Sequence, residues 1–284
     1  MINNNPKSKK ELQIYDIFTL SNDLGYANLV IKLPTFIIQC IGKNVNPVLH
    51  EDIFKYDYIN KCFDFSLLRY TFYNDKSLYE KVTDPNIKDN LIVHNRTHFN
   101  NNLSFLLRIL FKPSIYMSNL INEYQYLTND VQAAFHIRLG TNGSDSKNMA
   151  DYSCANETAI KTIIKKMLNY NTIYLASDSN ELKNKIIDKY KNFINIKILD
   201  LDFGYTTTNN TEKNSAINSI LEWFLLSKCP KIYTTMGGFD KDKTTKGMSS
   251  TFGYTASIYG NTDICYIYND GTTSNGYEDN FHWS

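Results

Sequence analysis

The sequence predicts an α/β protein built on doubly wound, mainly parallel sheet. Three observations carry this. From residue 131 onward, apolar runs of strand length alternate with amphipathic runs of helix length, the signature of strands joined by crossover helices. A shorter strand, glycine loop, helix, strand pattern opens the chain. The 284 residues are 42% hydrophobic and 21% charged, a globular balance at a length that suits two α/β domains or one large one.

The elements follow in order. "IYDIFTL" (14–20) is a β-prone run, and "SNDLGYANL" after it reads as a glycine-containing turn. "LVIKLPTFIIQCIGKN" (29–44) has helix length and ends on Gly42 and Asn44, with Pro34 marking a kink or the true start. "VNPVLHE" (45–51) supplies the next strand. Residues 52–90 are mixed and aromatic and take no assignment, and "NLIVHN" (90–95) reads as a strand. The stretch 103–127 reads as two helices broken near Pro113.

The second half is more regular. "VQAAFHIRLG" is a strand entry, and residues 157–170 carry apolar side chains at 160, 163, 164 and 167, a helical face. "TIYLASDS" (172–179) is a buried-type strand, "NELKNKIIDKY" a helix and "INIKILDLD" (194–202) a strand. Residues 215–228 have a helical face at 217, 220, 221, 224 and 225, with Ser215 as the expected N-cap. "KIYTT" is a strand, "SSTFGYTASIYG" opens a helix, and "DICYIYND" closes with a strand.

Composition excludes several classes. A formal net charge of +1 provides no field for nucleic acid. Cys40, Cys62, Cys154, Cys229 and Cys265 are scattered and odd in number, against both a disulfide framework and a structural zinc site. A polar N-terminus and no apolar run of spanning length predict a soluble, cytoplasmic chain with no membrane span, the alternative being a secretory-pathway chain without its anchor. The heavy use of Asn makes the sequons at Asn95, Asn102, Asn142, Asn156 and Asn209 expected chance matches. Neither a P-loop nor G-x-G-x-x-G is present.

Chemistry-bearing residues fall at strand-to-helix passages, where a doubly wound sheet binds ligands. "HIRLG" puts His136 and Arg138 at the end of a core strand. A planar guanidinium there can hold two oxygens of a diphosphate or pair with a carboxylate such as Asp178 or Asp145. His136 reads as a ligand contact or a satisfied strand-end histidine. Glu222, beside Trp223, reads as an acceptor for the N1 and N2 edge of guanine or as a solvated flank residue. Ser249, Ser250 and Thr251 form a hydroxyl-rich helix start that can cradle a phosphate or simply cap.

Four ordered segments carry a family resemblance. "HIRLG" resembles the H-x-R-x-G strand end of GDP-fucose-dependent fucosyltransferases, with a Ser-Asp shortly after the glycine as in the protein O-fucosyltransferases. "TIYLASDS" is similar to their A-T-D strand, and "ILEWFLLSKCPKIYTT" to their acidic helix and following strand. "SSTFGYTASIYG" resembles S-T-F-G-Y of the plant xyloglucan fucosyltransferases. The segments span 131–268, and "NDLGYANLVIKLPTF" is similar to the family's first Gly-Asn loop and helix.

The resemblance implies a GT-B-like fold, two Rossmann-like domains facing across a cleft. Residues 1–128 would form the acceptor side and 129–284 the nucleotide-sugar domain. It implies an inverting, metal-independent transfer of fucose from GDP-fucose to a glycan or protein hydroxyl, with no cofactor besides the donor substrate. Arg138 would be catalytic. His136, Asp178, Glu222, Ser249, Ser250, Thr251 and Asn28 would bind the donor. Another nucleotide-sugar donor, or an inactive GDP-sugar-binding relative, are the alternatives.

Departures are specific. Thr141 stands where the family has Asp after the motif, and the acid is delayed to Asp145. The first loop, Gly25-Tyr26-Ala27-Asn28, is longer than the family's. Residues 237–247 are inserted before the hydroxyl turn and carry Lys241, Lys243 and Lys246, expected as a solvated loop. Asp23 and Asp145 are the candidate bases for the acceptor.

Overall fold

A computed structural model describes residues 14–18, 30, 33, 46–49, 57–64, 101–139, 154–201, 213–236 and 251–275. The opening strands are β1 (Ile14–Phe18) and β2 (Asn46–Leu49), paired in parallel with Ile14 opposite Asn46. Parallel pairing of consecutive strands needs a crossover between them, as the sequence pattern expects. Of that crossover, Val30 and Leu33 are described, and both are buried. The expected strand at 90–95 lies outside the described residues.

Helix α1 (Asp57–Cys62) occupies part of the stretch the sequence left unassigned. Helices α2 (Asn101–Leu110) and α3 (Ile115–Tyr124) confirm the pair broken at Pro113. The break is built: Ser114 caps α3 by accepting from the Met117 amide at 3.1 Å and donates its hydroxyl to the Lys61 carbonyl at 2.6 Å.

The main sheet contains β3 (Ala133–Ile137), β4 (Thr172–Ser177), β5 (Asn195–Lys197), β6 (Lys231–Thr235), β7 (Asp263–Ile267) and β8 (Thr273–Asn275). Its order is β5-β4-β3-β6-β7-β8, with the first five parallel and β8 antiparallel. The chain starts at β3, winds outward to β5, then returns past β3 to β6. The reversal lies between β3 and β6, where crossovers diverge to opposite faces and leave a crevice beyond the strand ends.

Helices α4 (Glu157–Met167), α5 (Asn180–Tyr190), α6 (Lys213–Ser227) and α7 (Thr251–Gly260) cover the sheet. Strand side chains alternate between faces. Ala133, Phe135, Ile137, Ile173 and Leu175 pack with Ile163, Met167 and Ile186 of α4 and α5. Ala134, Tyr174, Ile232, Ile264 and Tyr266 pack with α6 and α7. Ile59, Cys62, Leu107, Leu110, Met117 and Ile121 of α1, α2 and α3 join that second core. Helices preceding residue 129 therefore share one apolar core with the sheet that follows it.

Polar ends fasten this layer. Arg108 of α2 donates through Nε to the Tyr259 carbonyl at 2.8 Å and through Nη2 to the Gly260 carbonyl at 3.1 Å. A guanidinium at the last carbonyls of α7 satisfies acceptors the helix leaves open and meets the negative end of its dipole. Gly260 is obligatory there, since a Cβ would fall 2.0 Å from the Ser227 carbonyl oxygen.

Three local expectations change. Ser215 is not an N-cap, because α6 begins at Lys213 and Ser215 lies within its first turn. The strand expected over 194–202 is limited to β5, since residues beyond Lys197 leave the ladder. Strand β8 carried no hydrophobic pattern and was not anticipated. Among the described residues no helix is long and apolar enough to cross a membrane.

Asn156 is exposed yet has a structural role. Its Oδ1 accepts from the Ala159 amide at 2.9 Å, capping α4, while its Nδ2 donates to the Asn269 carbonyl at 2.9 Å. Replacing Asn156 by Ala is expected to cost about 1 kcal/mol. In thermal unfolding this reads as a loss of about 2–4 °C.

Candidate functional site

The crevice at the sheet's reversal is lined first by the ends of β3 and β6. Their register sets His136 opposite Thr234. The two side chains meet on the α6–α7 face, with His136 Nδ1 2.9 Å from Thr234 Oγ1. Both residues are buried, His136 being 5% exposed and Thr234 fully enclosed. Burial pushes the imidazole down to about 3, and the neighbouring Arg138 charge adds to the effect. The ring is therefore neutral at physiological pH.

Helix α7 starts above this pair. Phe252 stacks on the His136 ring at 5.1 Å between centroids. Gly253 lets the helix backbone approach: a Cβ there would lie 2.6 Å from Thr234 Oγ1 and 3.3 Å from His136 Nδ1. Helix α6 secures the same turn. Trp223 Nε1 donates to Thr255 Oγ1 at 2.9 Å, and that hydroxyl lies 2.8 Å from the Thr251 carbonyl to which it donates.

Arg138 follows β3 directly, and its backbone is fixed on both sides. Its amide donates to Thr235 Oγ1 at 3.1 Å, and its carbonyl accepts from the Ala155 amide at 2.7 Å. Asp178, at the end of β4, accepts from the Leu139 amide at 2.8 Å. One oxygen of Asp178 thus orders the loop carrying Arg138. Consecutive threonines of β6 hold the two motif residues through their hydroxyls, Thr234 at the His136 ring and Thr235 at the Arg138 amide.

Glu222 is not a solvated flank residue. It is 4% exposed on α6, a helix buried around most of its circumference. Its Oε1 is buried without a hydrogen-bond partner. Burial pushes its carboxyl up to about 8, against the attraction of Lys183 and with the repulsion of Asp178. Lys183 of α5 is buried as well and donates to the Leu199 carbonyl at 3.1 Å. Burial lowers the Lys183 ammonium, opposed chiefly by Glu222. Tyr174, beneath them on β4, is raised well above its ordinary range by burial and by the Glu222 charge.

The fold thus gathers His136, Arg138, Asp178 and Thr251 at the carboxyl side of the sheet, with the Glu222 carboxyl within electrostatic reach of Lys183 and Asp178. Ser249, Ser250 and Asn28 lie outside the described residues, as do Thr141, Asp145, Asp23, the Gly25–Asn28 loop and the 237–247 insertion. Thr234 and Thr235 were not singled out from the sequence. Their signal was two hydroxyls ending an apolar strand that pairs with the strand of "HIR". A separate cleft of about 370 Å³, lined by Arg108, Ile121, Phe224, Lys228 and Tyr259, opens at the other end of α6 and α7, away from these groups.

A sheet of this order, with a histidine, an arginine and a helix start at its reversal, defines a doubly wound α/β domain with a crevice at its switch point. The chain takes the fold of fucosyltransferases of known structure. It superposes on the NodZ alpha-1,6-fucosyltransferase soaked with GDP-fucose with a TM-score of 0.53, at 12% identity over 92% of this chain and 97% of that one. For NodZ from Bradyrhizobium in another crystal structure the TM-score is 0.50, with the same identity and coverage. The Arabidopsis thaliana FUT1 mutant in complex with GDP gives 0.55, at 13% identity over 95% of this chain and 75% of that one. No protein-family model matches the sequence, and no curated protein matches it.

Close approach at Gly253 has a testable consequence. Glycine to alanine inside a helix ordinarily gains about 0.8–1 kcal/mol. Here Gly253→Ala is expected to reverse that sign and lose about 1–3 kcal/mol, because the methyl overlaps Thr234. Chemical denaturation of the variant beside the parent measures the difference.

Proposed function

We propose that the chain is an inverting glycosyltransferase that transfers fucose from GDP-fucose to a hydroxyl of a glycan or protein acceptor, within a two-domain GT-B plan. Residues 1–128 would supply the acceptor side, with β1 and β2 as its sheet. Residues 129–284 would hold the donor. The observation that carries this reading is the placement of Arg138, next to neutral His136, at the β3–β6 reversal of a fold shared with fucosyltransferase structures.

The chemistry follows from charge. In the transfer the bond from the sugar C1 to the β-phosphate oxygen breaks and GDP leaves with the electron pair. The acceptor oxygen bonds C1 from the opposite face and gives its proton to a base. The transition state carries growing negative charge on the diphosphate. Arg138 neutralises it through charge-assisted hydrogen bonds, each worth about 1.5–3 kcal/mol. The start of α7 at Thr251, continued by Ser249 and Ser250, adds amide and hydroxyl donors of favourable polarity. His136 donates to the nucleotide without bringing a second positive charge, and Asn28 contacts the donor from the first loop. Asp178 keeps the Arg138 loop in register.

Glu222 reads the base. Its buried Oε1 is an acceptor suited to the N1–H and N2–H edge of guanine. That edge has no counterpart in uracil, so the preference for GDP over UDP resides here.

GDP at one hundred times its Kd is expected to stabilise the chain by about 2.7 kcal/mol, with UDP and ATP giving no shift. Arg138→Ala is expected to lower kcat by about 100-fold or more while leaving the melting temperature within 2 °C of the parent. Thermal melts against a nucleotide panel and donor-turnover assays check both. A parent melt unmoved by GDP would overturn the reading.

Binding is also expected to depend on pH. Free Glu222 is protonated below about 8, whereas the guanine edge binds its ionised form. Binding therefore releases a proton, and affinity falls as pH drops below 8, approaching tenfold per unit. Calorimetric titrations between pH 7 and 8.5, above the last phosphate ionisation near 6, are expected to show this slope and Glu222→Gln to flatten it.

A further inference from the structure

The geometry points to Thr234 as the positioning residue that fixes the tautomer of His136, holding the ring proton on Nε2 so that the histidine is a neutral donor to the bound nucleotide. This deepens the donor-site reading above and rests on it for the ligand, although not for the tautomer.

The argument is a count of protons. A neutral imidazole has one N–H, and its second nitrogen accepts. Thr234 has one hydroxyl proton and, among the described residues, two acceptors within reach. His136 Nδ1 lies at 2.9 Å. The Thr235 carbonyl, on the next residue along the same strand, lies at 3.5 Å. The shorter contact has the ordinary length of a hydrogen bond, and the longer one is beyond the usual range. Were Nδ1 to donate instead, the buried hydroxyl proton would be left with the 3.5 Å carbonyl contact; the arrangement that satisfies both groups sends the hydroxyl proton to a bare Nδ1 and leaves the ring proton on Nε2.

Enclosure keeps the arrangement single. Thr234 is fully buried, the Gly253 backbone closes over the pair, and Phe252 stacks on the ring. On the Gly253 side the packing is tight: the position of a single added carbon there is already 2.6 Å from Thr234 Oγ1. Parallel register between His136 and Thr234 sets the pairing from the backbone upward.

The inverse tautomer would place an acceptor lone pair on Nε2. Against oxygens of a nucleotide, that nitrogen would then repel rather than bind. Thr234 thus acts on the ligand through His136 without touching it.

Two measurements test this. Long-range proton–nitrogen correlation spectra of the parent are expected to show His136 protonated at Nε2 and bare at Nδ1, in a Thr234→Ser variant as well. A parent ring protonated at Nδ1 overturns the proposal, whatever nucleotides do. In Thr234→Val, which keeps the shape and removes the hydroxyl, the spectrum is expected to become a mixture of tautomers. GDP affinity is expected to fall about tenfold in that variant and stay within about twofold in Thr234→Ser.

In turnover assays Thr234→Val is expected to raise the donor KM about tenfold with kcat within about threefold, unlike Arg138→Ala. Parent-like GDP affinity in Thr234→Val, or equal losses in the Ser and Val variants, overturns the proposal. If Thr234→Val does not fold, the parent spectrum and the Ser variant still decide it. If the parent binds no GDP, the functional reading fails, and the spectra alone decide the tautomer.

Discussion

The pairing of β3 with β6 is the constraint on which the rest depends. It is the seam at which the sheet reverses, so crossovers leave it toward opposite faces and nothing of the sheet covers its carboxyl end. Polar groups are needed there for a ligand, yet the seam is central and its sides are enclosed. A buried polar atom without a partner costs about 1–3 kcal/mol. The seam resolves this by matching polar residues across the strands: His136 with the Thr234 side chain, and the Arg138 amide with Thr235. The same bonds that make the reversal stable also aim its functional residues.

Support for the seam comes from the helices above it. Helix α7 touches β6 through a glycine, and that contact is held by its two ends. Thr255 joins the first turn to Trp223 of α6, and Arg108 of α2 holds the last carbonyls. Trp223, Phe224 and Tyr259 pack as an aromatic cluster between these ends, with centroid separations of 4.7–5.4 Å. A helix preceding the sheet in sequence thereby fixes the height of α7 over the crevice. The core around the main sheet extends into residues before 129, which links any movement of α2 to the geometry at His136.

Much of this architecture was legible from residue types. Parallel strands buried on both faces must be continuous apolar runs, so β3, β4, β6 and β7 stand out between amphipathic helices. The helix break at Pro113 is equally legible, since proline and a capping serine are local signals. Where local signals end, the reading failed. Helix α6 is buried nearly all round, so its stripe had no polar side to define an edge, and Glu222 was read against an edge that does not exist. Ser215 looked like a cap because capping serines and serines inside a first turn are identical in sequence. Strand β5 is short because Leu199 turns its carbonyl to Lys183 instead of to a neighbouring strand. Asp178 was legible as a strand-end acid, but its Leu139 amide partner is 39 residues away. Thr234 and Thr235 acquire meaning only through register with His136, 98 residues away, which no local pattern encodes.

The charges of the site form a hierarchy that the fold imposes by burial. His136 is enclosed and neutral, and Glu222 is enclosed with its carboxyl pushed up to about 8. Lys183 is likewise buried, its ammonium lowered by desolvation and supported by Glu222. Arg138, half-buried and never deprotonated, keeps its positive charge at every pH of interest. A protonated histidine beside it would repel the guanidinium and would compete for the same anion at a different angle. Under the proposed function, keeping the histidine neutral would let one planar cation set where a diphosphate lies, while the histidine would contribute direction without charge. Burial also reduces the screening of Arg138 by water. The apolar enclosure of His136 and Thr234 thus gives the arginine its electrostatic reach.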